Sequence, residues 1–239
     1  MKRILAISPH LDDAVFSAGA RLAEHAAAGD RVQVVTCFTG NVARPTGFAL
    51  ACQLDKGLGP EIDYMALRRA EDAEACAAIG AEPLHLPLLE APHRGYDSAA
   101  ALFGARLAGD TVLPDLVAAL EQVAANCQPG LVYGPYGVGN HVDHYLVREA
   151  VEQVFAGMQV VWWEDYPYAM RQAAPPAGVT RHPVKGAAAE RKLAATLAYR
   201  SQLGFQFGGA EAAEKALREW RVEGFATAAL RLGPGVTQS

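Results

Sequence analysis

At 239 residues, 51% hydrophobic and 20% charged, the chain has enough apolar side chain to bury a core, and a single domain over residues 1–239 is expected. A formal charge of −5, with Lys and Arg scattered, excludes the clustered basic surface that nucleic-acid binding needs. The opening MKRILAIS reaches charged HLDD too soon for a secretory core of about 7–15 apolar residues or a membrane span of about 18, so a cytoplasmic location with no membrane span is expected.

In chain order, residues 3–8 read as a buried strand and residues 13–28 as a helix ending at Gly29. RVQVVTCF, residues 31–38, reads as a second strand, closed by Thr39-Gly40. Residues 64–79 form a helical pattern with Gly80 in the position that ends helices in a left-handed turn. A short strand over 83–88, a helix over 111–126, a strand over 131–134, a helix over 141–156 and a strand over 159–163 follow. Helical patterns return at 186–200 and 210–222, after a break at Pro175-Pro176, and are expected to pack back on the sheet. The segments 41–63 and 90–110 fit neither period and read as loops that shape a site. Near-continuous apolar strands alternating with helices predict an α/β fold, a doubly wound and mostly parallel sheet flanked by helices. Cys37, Cys52, Cys76 and Cys127 contain no C-x-x-C pair, and three lie in apolar or helical patterns, which reads as buried thiols in a reducing setting.

Two clusters carry the chemistry. ILAISPHLDDAVFSAG brings His10, Asp12 and Asp13 to the end of the first strand, where open parallel sheets bind ligands. Capping of the following helix accounts for Asp13 alone but leaves His10 unexplained. GNHVDH follows the strand at 131–134 in the same way; His141 and His144 are three apart and share one side of a helix's first turn, with Asp143 available to orient a ring. Alone, that motif fits a polar helix start capped by Asn140. Together, two strand ends each offering imidazole and carboxylate match the donor set of a catalytic zinc site with a coordination position left open. A phosphate loop is the poorer reading, since the first turn lacks glycines and its carboxylates repel anions.

These residues resemble the LmbE-like, or PIG-L-like, family of zinc-dependent N-acetylglucosaminyl deacetylases, whose first motif is usually A-H-P-D-D-E with a later H-P-D-H or H-x-x-H. The resemblance implies a Rossmann-like fold and N-deacetylation. It implies His10, Asp13 and His144 as metal ligands, Asp12 as general base, His141 as an imidazolium that steadies the oxyanion, and Asp143 as the residue tuning His141. Leu11 and Ala14 replace the usual proline and glutamate at positions without chemical roles. WWEDYPYA (residues 162–169) and YRSQL (residues 199–203) also look like the branch that acts on glycopeptide-antibiotic sugars. The implied cofactor is Zn2+, with Fe2+ as an alternative occupant in the cell.

The expected partner is a small N-acetylated sugar conjugate, and the sequence is compatible with a homo-oligomer. Arg68 and Glu71, in LRRAED, match a family R-x-x-E pattern; Arg68 reads either as a substrate contact or as half of a surface ion pair. Arg94, in the rim loop EAPHRGY with His93 and Tyr96, is a candidate sugar contact among solvated residues. Glu164 and Asp165 read as structural, and His25, His85 and His182 as packed or surface side chains. The competing readings are an amidase for a larger acyl group or a thiol conjugate, and a sugar-binding module that has lost catalysis.

Overall fold

The structure, a computed structural model, describes residues 1–227; the rest of the expected 1–239 domain lies outside the described residues. Its elements in chain order are β1 (Arg3–Ser8), α1 (Asp13–Ala27), β2 (Arg31–Thr36), α2 (Gly47–Leu54), α3 (Tyr64–Ile79), β3 (Ala81–His85), α4 (Ala99–Leu102), α5 (Val112–Cys127), β4 (Leu131–Pro135), α6 (Val142–Val154), β5 (Val160–Trp163), β6 (Thr180–Pro183), α7 (Gly186–Ala198), α8 (Arg200–Phe207), α9 (Ala210–Glu219) and β7 (Val222–Ala226).

The strands form one seven-stranded sheet in the order β3-β2-β1-β4-β5-β7-β6. The first five run parallel, with Ile4 opposite Val32 on one side and Leu131 on the other. Ile4, Leu5, Ala6 and Ile7 are wholly buried, as a central parallel strand covered on both faces requires. One core joins α1, α3 and α7 to the sheet through Phe16, Leu22, Ile79 and Tyr199; the other joins α5 and α6 through Leu116, Leu120, Leu146 and Val151. The chain leaves β1 toward β2 but crosses to the other side for β4, so the direction of winding reverses between these neighbours. The crevice beyond their carboxyl ends is where such sheets bind ligands.

Several boundaries differ from the sequence reading. β3 begins at Ala81, directly after the left-handed turn at Gly80 (φ 77°), because its pairing with β2 starts at Val32. β2 ends at Thr36, and Phe38 instead makes an isolated antiparallel bridge with Pro87. The segment 41–63 holds α2, and 90–110 holds the short α4. The C-terminal part is not purely helical: β7 and β6 extend the sheet antiparallel, and the helical pattern near Arg200 divides at Tyr199 into α7 and α8. These strands are four or five residues long, too short for their alternation to stand out.

β7 also reaches into α1. The buried Glu223 carboxylate accepts the mid-helix N–H groups of Ala20 and Arg21 (2.9 and 3.0 Å) and the Lys192 ammonium (2.8 Å). Gly19 makes room for the lysine stem, since a Cβ there would stand 3.3 Å from Lys192 Cγ. A buried carboxylate stripped of its cation costs about 3–5 kcal/mol. Lys192→Met is therefore expected to lower the urea midpoint by a stability loss in that range, and adding Glu223→Gln to recover a measurable part of it.

Candidate active site

The turn after β1 frees the carboxylates it carries. Ser8 Oγ donates to the His10 carbonyl (2.7 Å) and accepts the Ala14 N–H (3.0 Å), so a serine satisfies the start of α1. Asp12 stands at the capping position with φ 152° and makes no side-chain cap bond. A non-glycine residue with such a φ is strained, and strain of this kind is held only by surrounding structure. Its carboxylate is left to line a cleft instead.

Asp13, the first residue of α1, accepts the His10 N–H with Oδ2 (2.9 Å), which also lies 3.1 Å from His10 Nδ1 and 3.3 Å from His144 Nε2. Residues 131 positions apart in sequence thus meet because β1 and β4 are hydrogen-bonded neighbours. Each histidine has a second carboxylate behind it. His10 Nε2 lies 2.9 Å from Asp143 Oδ2, and His144 Nδ1 lies 2.8 Å from Asp165 Oδ1. Burial opposes charge on His10, yet hydrogen bonds and charges of Asp13 and Asp143 raise it to about 9. The same contest, won by Asp13 and Asp165, raises His144 well above an ordinary imidazole. Burial works against ionised Asp13, but His144 and His10 hold it well below the usual carboxylate range.

The donor atoms of His10, Asp13 and His144 lie within 4.8 Å of one another, close enough for small side-chain adjustments to bring them onto one cation with bonds of about 2.0–2.2 Å. His144 Nε2 is fully buried and faces Asp13 Oδ2 at 3.3 Å without a well-formed hydrogen bond, an ion-pair contact that leaves the ring nitrogen free for a cation. A divalent cation satisfies it, and both rings then carry the carboxylate backing that metal-bound histidines need. His10, His141 and Asp143 form a second close group, but its donors are committed: Asp143 accepts Arg94 Nη2 (2.6 Å) and the Ala91 N–H (3.1 Å), and His141 Nδ1 accepts the Asp143 N–H (3.2 Å). The residues present fit one cation in the first group.

His141, not Asn140, caps α6. Its Nδ1 accepts the helix N–H, so the neutral ring carries its proton on Nε2. Burial, and then the charge of His10, depress its pKa to about 3. The Asp143 side chain bonds His10 rather than the His141 ring. Burial raises Asp12 to about 7, against the opposing charge of Arg68.

The loop at 90–96 differs from the solvated rim read from sequence. Ala91 and Tyr96 are fully buried, and every nitrogen of Arg94 is engaged, by Asp110, Asp143 and the Leu89 carbonyl. Arg94 therefore faces inward and is corrected from sugar contact to internal ion pair; its partner Asp143 draws the loop onto the site. Arg68 is no surface partner of Glu71, which accepts instead from the Ser201 N–H and Oγ. Arg68 is buried beside the cleft, donates to Glu90 (2.6 Å) and the Leu11 carbonyl (3.1 Å), and stands 3.7 Å from Asp12 Oδ2. Its Nε has no hydrogen-bond partner.

Asp165, which from sequence either lines the pocket or caps a turn, stands behind His144. Besides His144, it accepts the N–H groups of Gly137 and Val138 (2.7 Å each), and so shapes the loop between β4 and α6. The signal was its place just beyond β5, next to β4, by the same strand-end rule that singled out His10. Glu164 pairs with Arg181 away from the cleft. His25 and His85 are held by Asp30 with Tyr133 and by Asp72, each without a second imidazole.

A family model described as PIG-L: GlcNAc-PI de-N-acetylase matches residues 5–155. The chain is 32% identical over 170 residues to the 2'-N-acetylparomamine deacetylase of Streptomyces fradiae, a match covering 70% of this chain and 58% of that protein. It thus spans little more than half the length of that relative. Among solved structures, the A40926 pseudoaglycone deacetylase Dbv21 aligns with a TM-score of 0.73 at 33% identity, covering 85% of this chain and 83% of that one. The zinc inhibited form of teicoplanin deacetylase Orf2 aligns with a TM-score of 0.76 at 28% identity, covering 90% of each chain.

Carboxylates behind metal-bound histidines typically contribute about 10–100-fold in metal affinity. Asp165→Ala and Asp143→Ala are each expected to weaken zinc binding by that factor in a chelator-dye competition. An unchanged affinity in Asp143→Ala would detach Asp143 from the metal and return it to His141.

Proposed function

The chain belongs to the PIG-L family of de-N-acetylases, and on that premise we propose that it is a metal-dependent hydrolase removing the acetyl group from an N-acetylated amino sugar conjugate. The observation that carries this reading is the convergence of His10, Asp13 and His144 donor atoms within 4.8 Å, beside an Asp12 that makes no cap bond. His10, Asp13 and His144 would hold the cation. When bound, it supplies Lewis acidity toward an amide carbonyl and acidifies water.

The remaining work falls to the chain's own groups. Asp12, lining the cleft next to Asp13, accepts the proton of the attacking water and returns it to the amine that leaves with the sugar. Arg68, 3.7 Å away, favours the ionised carboxylate against burial. His141 acts as a neutral donor: with Nδ1 occupied by the Asp143 N–H, its Nε2–H is directed to the oxygen that gains charge as the carbonyl becomes tetrahedral. A preorganised neutral imidazole of this kind needs no proton from solution. Arg68 Nε, lacking a partner, is available to an oxygen of the sugar or its acetyl group.

Two imidazoles and a carboxylate suit zinc, and ferrous iron accepts the same set. A zinc inhibited form exists for the teicoplanin deacetylase relative, so loading is best held to one equivalent. The expected substrate is an N-acetylated sugar conjugate; no helix among the described residues is long and apolar enough to cross a membrane.

Acetate release from N-acetylglucosamine conjugates is expected with one equivalent of metal and to cease with a chelator; equal release in both arms would exclude the cation. Asp12→Ala is expected to lose roughly 10²–10⁴-fold in kcat while retaining metal by elemental analysis. A variant with near-normal turnover removes Asp12 as the base.

A further inference from the structure

The cleft over Asp12 and His141 has a volume of about 240 Å³, below the roughly 300–1,000 Å³ of pockets that enclose a whole drug-sized ligand. Its floor is ionic, with Asp12, Asp13, Arg68 and Glu90. A conjugate larger than one sugar must therefore extend across the mouth, and the mouth is of a different character. Phe103, just after α4, and Phe205, on α8, both line the cleft while standing 42% and 58% exposed.

Phe103 is continuous with the reacting position: its ring meets His141 edge-on at 5.3 Å and Tyr168 at 6.0 Å. Three of the polar side chains lining the cleft already have partners. Asn41 donates to Asp63 and Gln202 to Tyr64, while the Lys56 ammonium donates to the Cys52 carbonyl and lies 4.5 Å from the centre of the Phe205 ring. Two large, exposed aromatic rings lining one cleft mark a surface that receives something apolar.

We propose that Phe103 and Phe205 form a specificity-determining rim that receives a bulky apolar group joined to the amino sugar, so that apolar conjugates are preferred over the free sugar or small polar conjugates. This deepens the deacetylase reading and rests on it for the sugar, while the rim itself can be tested without turnover.

The experiment titrates metal-loaded full-length protein by calorimetry with 4-nitrophenyl and methyl glucosaminides, the deacetylated products, which do not turn over. The 4-nitrophenyl glycoside is expected to bind about tenfold more tightly. Phe205→Ser and Phe103→Ser are each expected to bring that ratio below about threefold, with urea midpoints checked against the parent. Equal affinities in the parent, or an unchanged ratio in both variants, overturn the proposal. So does sedimentation as a dimer that Phe205→Ser dissociates, which assigns the rim to an interface between copies. Acetate release from the two N-acetylated glycosides is read separately. Release without a binding preference sinks the rim alone, and a binding preference without release sinks the deacetylase reading alone.

Discussion

The site depends on a buried alternation of acids and imidazoles: Asp143, His10, Asp13, His144 and Asp165, each within 3.3 Å of the next. Isolated charges of this kind are too costly to bury, and ion pairs repay that cost only when the remaining polar atoms are also satisfied. Here each ring lies between two carboxylates, Arg94 and the Ala91 N–H complete Asp143, and two loop N–H groups complete Asp165. The weakest link is His144 Nε2, which faces Asp13 at 3.3 Å without a well-formed hydrogen bond, among donors that fit a cation.

That alternation ties distant loops to the metal position. Asp143 draws in the segment around Ala91 and Arg94, and Arg94 in turn joins Asp110, so both ends of a loop without regular periodicity are anchored. Asp165, beyond β5, holds the turn that presents His141 and His144. The candidate ligands are thus positioned by their neighbours' hydrogen bonds as well as by their own backbone, as a metal site would require. The cleft combines the ionic groups of Asp12, Asp13, Arg68 and Glu90 with the exposed rings of Phe103 and Phe205.

Much of this was legible before any coordinates. The wholly apolar Ile4–Ile7 segment and the later strand–helix alternation announced a parallel sheet, and a histidine with two aspartates at a strand's end had no role in packing. The HVDH cluster was suggestive only in combination with the first. Less legible were β6 and β7, whose few residues carry too little alternation, and the inward turn of Arg94, which from sequence resembles any arginine in a Gly- and Pro-containing loop. Asp165 was visible by position, yet nothing local distinguishes a carboxylate that supports a ligand from one that caps a turn.

Which residue types lie at which strand ends can be read along the chain, because strand and helix periods are local and a polar cluster after an apolar run stands out without tertiary information. Only the tertiary structure decided that Asp143 stands behind His10 while His141 keeps its Nδ1 for a helix N–H, and that Arg68 faces Asp12 instead of Glu71. Those choices turn on distances of a few ångströms between segments up to 133 residues apart. Hydrogen bonding and charge are too short-ranged in effect for chain order to specify which of several nearby partners a buried group will take.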